Sequence, residues 1–352
     1  MSADNHEARP PKRSRTEDTP RQSSAATPLD LDNFQCHEEF WFDDGSIVLI
    51  AQQKTGFRVY RALLTAQSTI FADMFTSSSP SAEEMIEGCP VVHLSDTPED
   101  IAHLLRVLLP KSQRLLYSRK SILSFHQLSA IIRLSHKYHV QDVLDQAVEY
   151  LQTHFTSTFD AWTSNTALRV PLFSARHAIG VVNLARLIDR PALLPIAFYR
   201  CAQLGGDVVS GYRREDKTVE YLRRRDLRRC IDGRNELAEQ AASVLAEVFG
   251  NAYPCDACVR RERCAIALLN LSARMVADEF VSEVDVLTSW AGRIEEWAED
   301  LDLCEPCRRA VITQDRRARR QVWDDLPTIF GLTVEGWAAS EDEDETTDPD
   351  TP

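Results

Sequence analysis

Glycine is scarce in this chain, 12 of 352 residues. A phosphate-cradling loop or a dinucleotide fingerprint needs several glycines at fixed spacing so that the backbone can approach an anion. Neither pattern occurs, nor does the Gly-x-Ser-x-Gly turn that presents a hydrolase serine. Long apolar runs are also missing. No stretch approaches the roughly 20 residues that cross a bilayer, and the first thirty residues hold no apolar core of the kind a secretory signal needs. Basic charge is in deficit, with 40 Lys and Arg against 54 Asp and Glu and a net charge of −14. That balance disfavours a general affinity for nucleic acid or for an acidic membrane. These absences predict an intracellular chain, nuclear or cytoplasmic, with no membrane partner. In a reducing compartment its nine cysteines are read as thiols or metal ligands rather than disulfides. No repeat of solenoid length is present.

What is present divides the chain by composition. Residues 1–35 are rich in Pro, Ser, Thr and charge and read as a disordered tail. Within them Pro10-Pro11-Lys12-Arg13-Ser14-Arg15 reads either as a nuclear import signal or as solvated charge. At the other end, residues 336–352 read as a disordered acidic tail, since residues 340–352 carry seven acidic side chains and no basic one. Between the tails the predicted units are a compact α+β domain over 36–156, a helical domain over 157–250 and a cysteine-containing helical segment over 251–335. The hydrophobic fraction of 43% is enough for real cores.

From Phe40 the pattern turns to strands. Asp43-Asp44-Gly45 is a turn, Ile47–Ile50 a buried strand, and Phe57/Val59 against Arg58/Tyr60 a half-buried partner, which together predict a hairpin. Leu63, Leu64, Phe71, Met74 and Phe75 then mark two short helices, and Pro90–Leu94 a lone third strand. Ser95-Asp96-Thr97-Pro98-Glu99-Asp100 is a helix start, with capping side chains, Pro in the first turn and acids at the positive end. Ile101, Leu104, Leu105 and Leu108 follow at helical spacing. Lys111–Lys120 reads as basic and irregular. Further helix faces run through Leu128, Ile131, Ile132, Ser135 and Tyr138, and then through Val143–Phe155. Beyond these, Ala175–Asp189, Leu193–Leu204 and Glu236–Phe249 read as helices, with Thr218–Asp232 as a charged segment.

These residues carry a resemblance. Tyr60-Arg61-Ala62-Leu63-Leu64 with Ser68, Phe71, Met74 and Phe75 resembles the helix-pair signature of the BTB/POZ domain. Glu87–Asp96 looks like the strand and cap that follow, and Leu134-Ser135-His136-Lys137-Tyr138-His139-Val140 resembles the family's late helix with its Lys-Tyr end. The match covers about residues 38–155. It departs from the family pattern at Tyr60, where a His is usual, and in the long basic segment after Leu108. Over residues 38–332 the chain is similar to the BTB proteins expanded in mushroom-forming fungi, through Asp43-Asp44-Gly45, Gly88-Cys89-Pro90 and Trp323-Asp324-Asp325-Leu326-Pro327-Thr328-Ile329-Phe330-Gly331-Leu332. The resemblance implies an α+β fold, a small sheet with a helical cluster followed by a mostly helical C-terminal domain. It also implies an oligomerisation or adaptor role with a protein partner, either itself or another BTB-type chain. Around Phe40, Trp41, Leu63 and Leu64, core and contact surface adjoin. The alternatives are a substrate receptor that binds a cullin and a transcriptional regulator. No kelch, ankyrin or tandem zinc-finger array accompanies the domain to support either.

The residues that invite chemistry are mostly cysteines. Cys255-x2-Cys258 and Cys304-x2-Cys307 are two hooks, each able to place a pair of thiolates about 3.5–4 Å apart, as a tetrahedral zinc with Zn–S near 2.3 Å requires. They predict a structural zinc on Cys255, Cys258, Cys304 and Cys307, with Cys264 able to replace one ligand. The bland alternative is a helical tail with packing cysteines, and a redox role lacks the surrounding βαβ pattern. Cys36, Cys89, Cys201 and Cys230 stand alone as small hydrophobes. The histidines, including His136 and His139, are scattered over different elements. Eight basic residues in Arg213–Arg229 and six in Arg308–Arg320 read as solvated helix faces with acidic partners in the chain, because no aromatics interleave for base stacking. No acid, base and nucleophile assemble, so no enzyme is predicted.

Overall fold

In the computed structural model, residues 34–52, 54–77, 84–109, 123–164, 173–250, 253–277 and 285–337 are described. The cluster Lys12–Arg15, the segment Lys111–Lys120 and the acidic run from Ser340 lie outside the described residues. The N-terminal unit is an α+β domain on a five-stranded mixed sheet. Its strands are β1 (Gln35–Trp41), β2 (Ile47–Ala51), β3 (Thr55–Val59), β4 (Met85–Ile86) and β5 (Cys89–Leu94), in the order β1-β3-β2-β5-β4. Five consecutive apolar residues make β2 the middle strand, and all five are buried. It pairs antiparallel with β3 as the predicted hairpin, from Ile47 opposite Val59 to Ala51 opposite Thr55. It also pairs parallel with β5. Ile47, Leu49 and Ala51 face the main core. Val48 and Ile50 face a smaller cluster with Cys89, edged by Trp41, Ile86 and Val91.

Two features depart from the sequence reading. The strand expected to stand alone is β5, which is flanked on its other side by the two-residue β4. The stretch before Trp41 is itself a strand, β1, parallel to β3 along one edge with a register shift. Its Cys-His-Glu-Glu run hid it, since an edge strand leaves much of its surface in water.

Helices α1 (Arg61–Gln67), α2 (Thr69–Ser77), α3 (Pro98–Leu108), α4 (Phe125–Lys137) and α5 (Gln141–His154) share one buried apolar core with the inner face of the sheet. The cap of α3 forms as predicted, with Thr97 Oγ1 accepting from the Asp100 amide at 3.2 Å. Helix α4 opens on a capping box of Ser124 and Gln127. It closes with His139 at φ 52° and the Val140 amide donating to the Ser135 carbonyl, which stops the helix and turns the chain into α5.

The second half is mostly helical: α6 (Phe159–Ser164), α7 (His177–Leu187), α8 (Leu194–Gln203), α9 (Arg224–Phe249), α10 (Arg261–Ala277), α11 (Ala291–Asp300) and α12 (Glu305–Ile329), with a small hairpin of β6 (Tyr212–Arg213) and β7 (Val219–Glu220). The segment expected to be one charged stretch is therefore split between β7 and α9, which continues through Gly233 to Phe249. A Cβ at Gly233 would lie 2.3 Å from the Phe330 ring, so glycine is what lets the end of α12 pack against α9. Helix α12 then ends in a Schellman motif at Gly331, φ 59°. The Gly331 amide donates to the Thr328 carbonyl and the Leu332 amide to the Pro327 carbonyl.

A single apolar core runs from Phe40 to Phe330, and a polar seam joins the two halves. The β6–β7 hairpin supplies Arg214 to Asp100, Glu215 to His103 at 2.7 Å and Glu220 to Arg133. Glu220 also accepts from Asn183 and Tyr212, each at 2.9 Å. Beside this seam His177 stacks on Phe125 with centroids 4.5 Å apart. Burial, with His126 close by, pushes its imidazole down to about 4. Deeper in the helical region Asp315 and Arg319 form an ion pair at 2.6 Å with almost no exposure. Asp315 also accepts from Ser289 Oγ and the Trp290 amide, and Arg319 donates to the Val286 carbonyl while lying 4.3 Å over the Trp290 ring. The pair therefore fastens residues 286–290 onto α12.

Two outcomes follow. Arg319→Leu or Asp315→Leu alone leaves a buried charge without its partner and costs about 3–5 kcal/mol in denaturant unfolding, whereas the double Leu variant costs less than either single change. If the double variant is the sum of the singles, the coupling is absent. For His177, the folded pKa near 4 lies below the ordinary 6.5, so protonation favours the unfolded chain. Its contribution is complete above pH 6.5 and is lost as pH falls towards 4. The thermal midpoint of His177→Gln should therefore fall less steeply between pH 7 and pH 5 than that of the unsubstituted chain.

Candidate metal centre and docking module

The two cysteine hooks and Cys264 are brought together by one tight turn and two loop-to-helix junctions. Cys255 follows Tyr253-Pro254 and its carbonyl accepts from the Cys258 amide, closing a tight turn. Cys264 sits in the first turn of α10, Cys304 is the residue before α12, and Cys307 lies in the first turn of α12. The N-terminal ends of both helices carry partial positive charge, which favours the thiolate form. Arg260 holds the junctions in register by a forked contact to Asp302 with both distances 2.9 Å.

Sγ of Cys304 is 3.7 Å from that of Cys258, and Sγ of Cys307 is 3.6 Å from that of Cys255. The sulfurs of Cys258, Cys264, Cys304 and Cys307 all lie within 4.8 Å of one another, and all four residues are buried. A Zn–S bond of about 2.3 Å gives a tetrahedron with sulfur–sulfur edges of about 3.8 Å, close to both measured separations. None of the cysteines is in a disulfide. Burial raises the Cys264 and Cys307 thiols. Cys304 is also disfavoured by burial, but the Cys307 amide and the neighbouring thiols outweigh it and bring it down to about 7. A buried, all-sulfur set of this spacing suits a closed structural metal such as zinc, with no position left for substrate. Cys264 belongs to the mutually close four. Cys255 is half-buried at the rim, touching Cys307.

In the N-terminal unit the structure separates roles that the sequence left joined. Phe40 and Leu64 are buried core. Trp41 and Leu63 are only half-buried. Trp41 lies on the outer face of the sheet beside Phe34, with ring centroids 5.9 Å apart. Tyr60, in the place of the usual His, stacks on Phe42 and donates to Asp44 at 2.8 Å. The late Lys-Tyr pair converges on one carboxylate: Lys137 Nζ reaches Asp96 at 2.7 Å and the Tyr138 hydroxyl donates to the same group.

The remaining flagged residues have ordinary placements. Cys89, Cys201 and Cys230 are buried, and Cys36 is exposed on β1. His93 pairs with Glu84 at 2.7 Å and His139 is a helix stop. In Arg308–Arg320, Arg308 and Arg309 pair with Glu305, Arg316 and Arg320 with Asp160, and Arg319 with Asp315. Among the described residues no nucleophile, base and acid are brought together, and no helix is long and apolar enough to cross a membrane. A family model for the BTB/POZ domain matches residues 34–155, the stretch that holds the five-stranded sheet and α1 to α5. No curated protein matches the chain.

The metal centre makes a measurable claim. The purified chain should carry about one zinc, as in a four-thiolate site, and Cys258→Ser/Cys304→Ser should lose it. Cys264→Ser should release zinc to a chelator faster than Cys255→Ser does. A folded, metal-free chain expressed in zinc-replete medium would remove the site.

Proposed function

We propose that this chain is a non-enzymatic docking protein that pairs with a second copy of itself through its BTB/POZ domain. Its helical region, braced by zinc on the cysteine centre, then presents a further surface to a client. The observation that carries the reading is the coincidence of the family match over 34–155 with the α+β unit of β1 to β5 and α1 to α5. That domain is generically an interaction and oligomerisation module, and no catalytic constellation stands among its described residues. The pairing face inferred here is the outer side of the sheet and its β1 edge. There Trp41, Ile86 and Val91 are each partly buried against a small apolar cluster of Val48, Ile50 and Cys89, and β1 has a ladder partner on one side only. A standard interface removes roughly 1,600 Å² from water, an area that a sheet face and its adjoining strand can supply. Kinship with the fungal BTB sets is part of the same proposal, supported by Asp43-Asp44-Gly45, Gly88-Cys89-Pro90 and the Trp323–Leu332 segment. Among the described residues no motif singles out a cullin or a transcriptional partner.

Light scattering on the full chain tests the pairing. The expected mass is twice the 39.9 kDa of one chain, and Trp41→Arg should shift it to the single-chain value with its circular dichroism unchanged. A single-chain mass at every concentration up to about 100 µM, far above the Kd of stable complexes, would end the self-pairing reading.

A further inference from the structure

The two arginine-rich stretches differ in a way that the sequence does not show. In Arg308–Arg320 nearly every guanidinium has a carboxylate partner, with Arg317 left over among the described residues. At the start of α9 the balance is reversed. Arg186, Arg223, Arg224, Arg225 and Arg229 line a cavity of ≈ 550 Å³ that contains one acidic side chain, Asp226. That carboxylate is buried, 6% exposed, and already engaged by Arg186 at 2.9 Å and Arg229 at 3.7 Å. Arg223, Arg224 and Arg225 are exposed, and none has a partner among the described residues. Three uncompensated guanidinium groups at the mouth of a concave site focus a positive potential, and the positive end of α9 adds to it. In a chain of net charge −14 such a site selects an anion with several charges.

The cavity is also lined by Gly331, Leu332 and Thr333, the segment that the Schellman motif turns out of α12. From there the chain runs to Trp337, whose indole donates to the Trp323 carbonyl at 2.9 Å and stacks on the Trp323 ring. Four residues later begins Glu341-Asp342-Glu343-Asp344-Glu345. Four residues span at most ~14 Å when extended. Thr333 therefore lies within ~14 Å of Trp337, and Glu341 within ~14 Å of it again. The pinned Trp337 thus delivers five consecutive acidic residues within reach of the cavity rim.

We propose that this cationic cavity is the docking site of the chain's own acidic C-terminal segment, with Glu341–Glu345 seated on Arg223, Arg224 and Arg225. Guanidinium groups accept carboxylates in paired hydrogen bonds, and the short tether makes the contact intramolecular, so that the tail is held at a high effective concentration. The docked tail screens the exposed arginines that no acid among the described residues reaches, and so shields the cavity from other polyanions.

The test uses the full chain and a full-length variant in which Glu341, Asp342, Glu343, Asp344 and Glu345 are changed to Gln or Asn, with a fluorescein-labelled synthetic peptide of residues 338–352 as probe. The tail-neutralised chain should bind the peptide at least tenfold more tightly than the unsubstituted chain, with an affinity that falls as salt rises. Adding Arg223→Ala, Arg224→Ala and Arg225→Ala should abolish that binding, while adding Arg317→Ala should leave it intact. Equal binding by the unsubstituted and tail-neutralised chains, no binding by the latter, or binding that survives the triple substitution would each overturn the proposal. So would an unsubstituted chain that takes labelled oligouridylate RNA through the same three arginines as tightly as the tail-neutralised chain does, an outcome that would assign the cavity to nucleic acid.

Discussion

Tyr138 is the point on which the N-terminal unit turns. Its ring is buried and stacks on Phe71 of α2 with centroids 4.3 Å apart. Its hydroxyl donates to Asp96 in the loop that leaves β5, and its carbonyl accepts from Ser68 between α1 and α2. One residue thereby fixes the first helix pair, the exit from the sheet and the end of α4 against one another. Burial, together with the Asp96 carboxylate, raises the phenol well above its ordinary value, so it stays a neutral donor. A buried polar network of this kind is stabilising only when every member is satisfied, and here the hydroxyl, the carbonyl and Ser68 all are. Leu64 and Phe71, both essentially without exposure, complete the packing around it. A fully buried apolar side chain of this size contributes about 1.5–3 kcal/mol, so the polar contacts specify the arrangement while the apolar ones supply most of the stability.

The helical half is secured differently. Its core is continuous with that of the sheet unit, but its loops are held by discrete devices: the buried Asp315–Arg319 pair, the Arg260–Asp302 fork and the five convergent thiols. Each device ties a segment distant in sequence to an end or a face of α10 or α12. A metal on the thiols would link residue 258 to residue 307, closing a long loop whose ordering by packing alone is entropically costly. The same logic applies after α12, where the Gly331 stop and the Trp337 indole tie residues 331–337 back onto the helix.

Much of this organisation was readable beforehand, and the exceptions share a cause. The β2–β3 hairpin, the start of α3 and the apolar face of α4 followed from local signals: alternation, capping side chains and helical spacing. The strand β1 and the β6–β7 hairpin did not, because Cys36-His37-Glu38-Glu39 and Arg213–Val219 look like solvated charge. Their strand character comes from ladder partners and from ion pairs made across the fold. The sequence pattern predicts a charged segment Thr218–Asp232 and a separate helix Glu236–Phe249 where α9 is continuous, since nothing local indicates that the ring of Phe330, almost a hundred residues later, takes the space of the missing Gly233 side chain. The cysteine hooks were visible as spacing, whereas the closeness of Cys264 to Cys258 and Cys304 required the packing of α10 against the start of α12.

The sequence alone determined which segments are apolar and periodic enough to fold, where their helices begin, that an α+β unit precedes a helical region, and which thiols come in pairs. Those properties depend on neighbours a few residues apart and are written in short-range order. The tertiary structure alone decided which arginines find a carboxylate and which do not. It also decided which of the contact residues are core and which cysteines lie mutually close. Each of these depends on distances between groups tens to hundreds of residues apart, and pairing energies at a few ångströms are set by where the packed elements place the charges and sulfurs, not by their order along the chain.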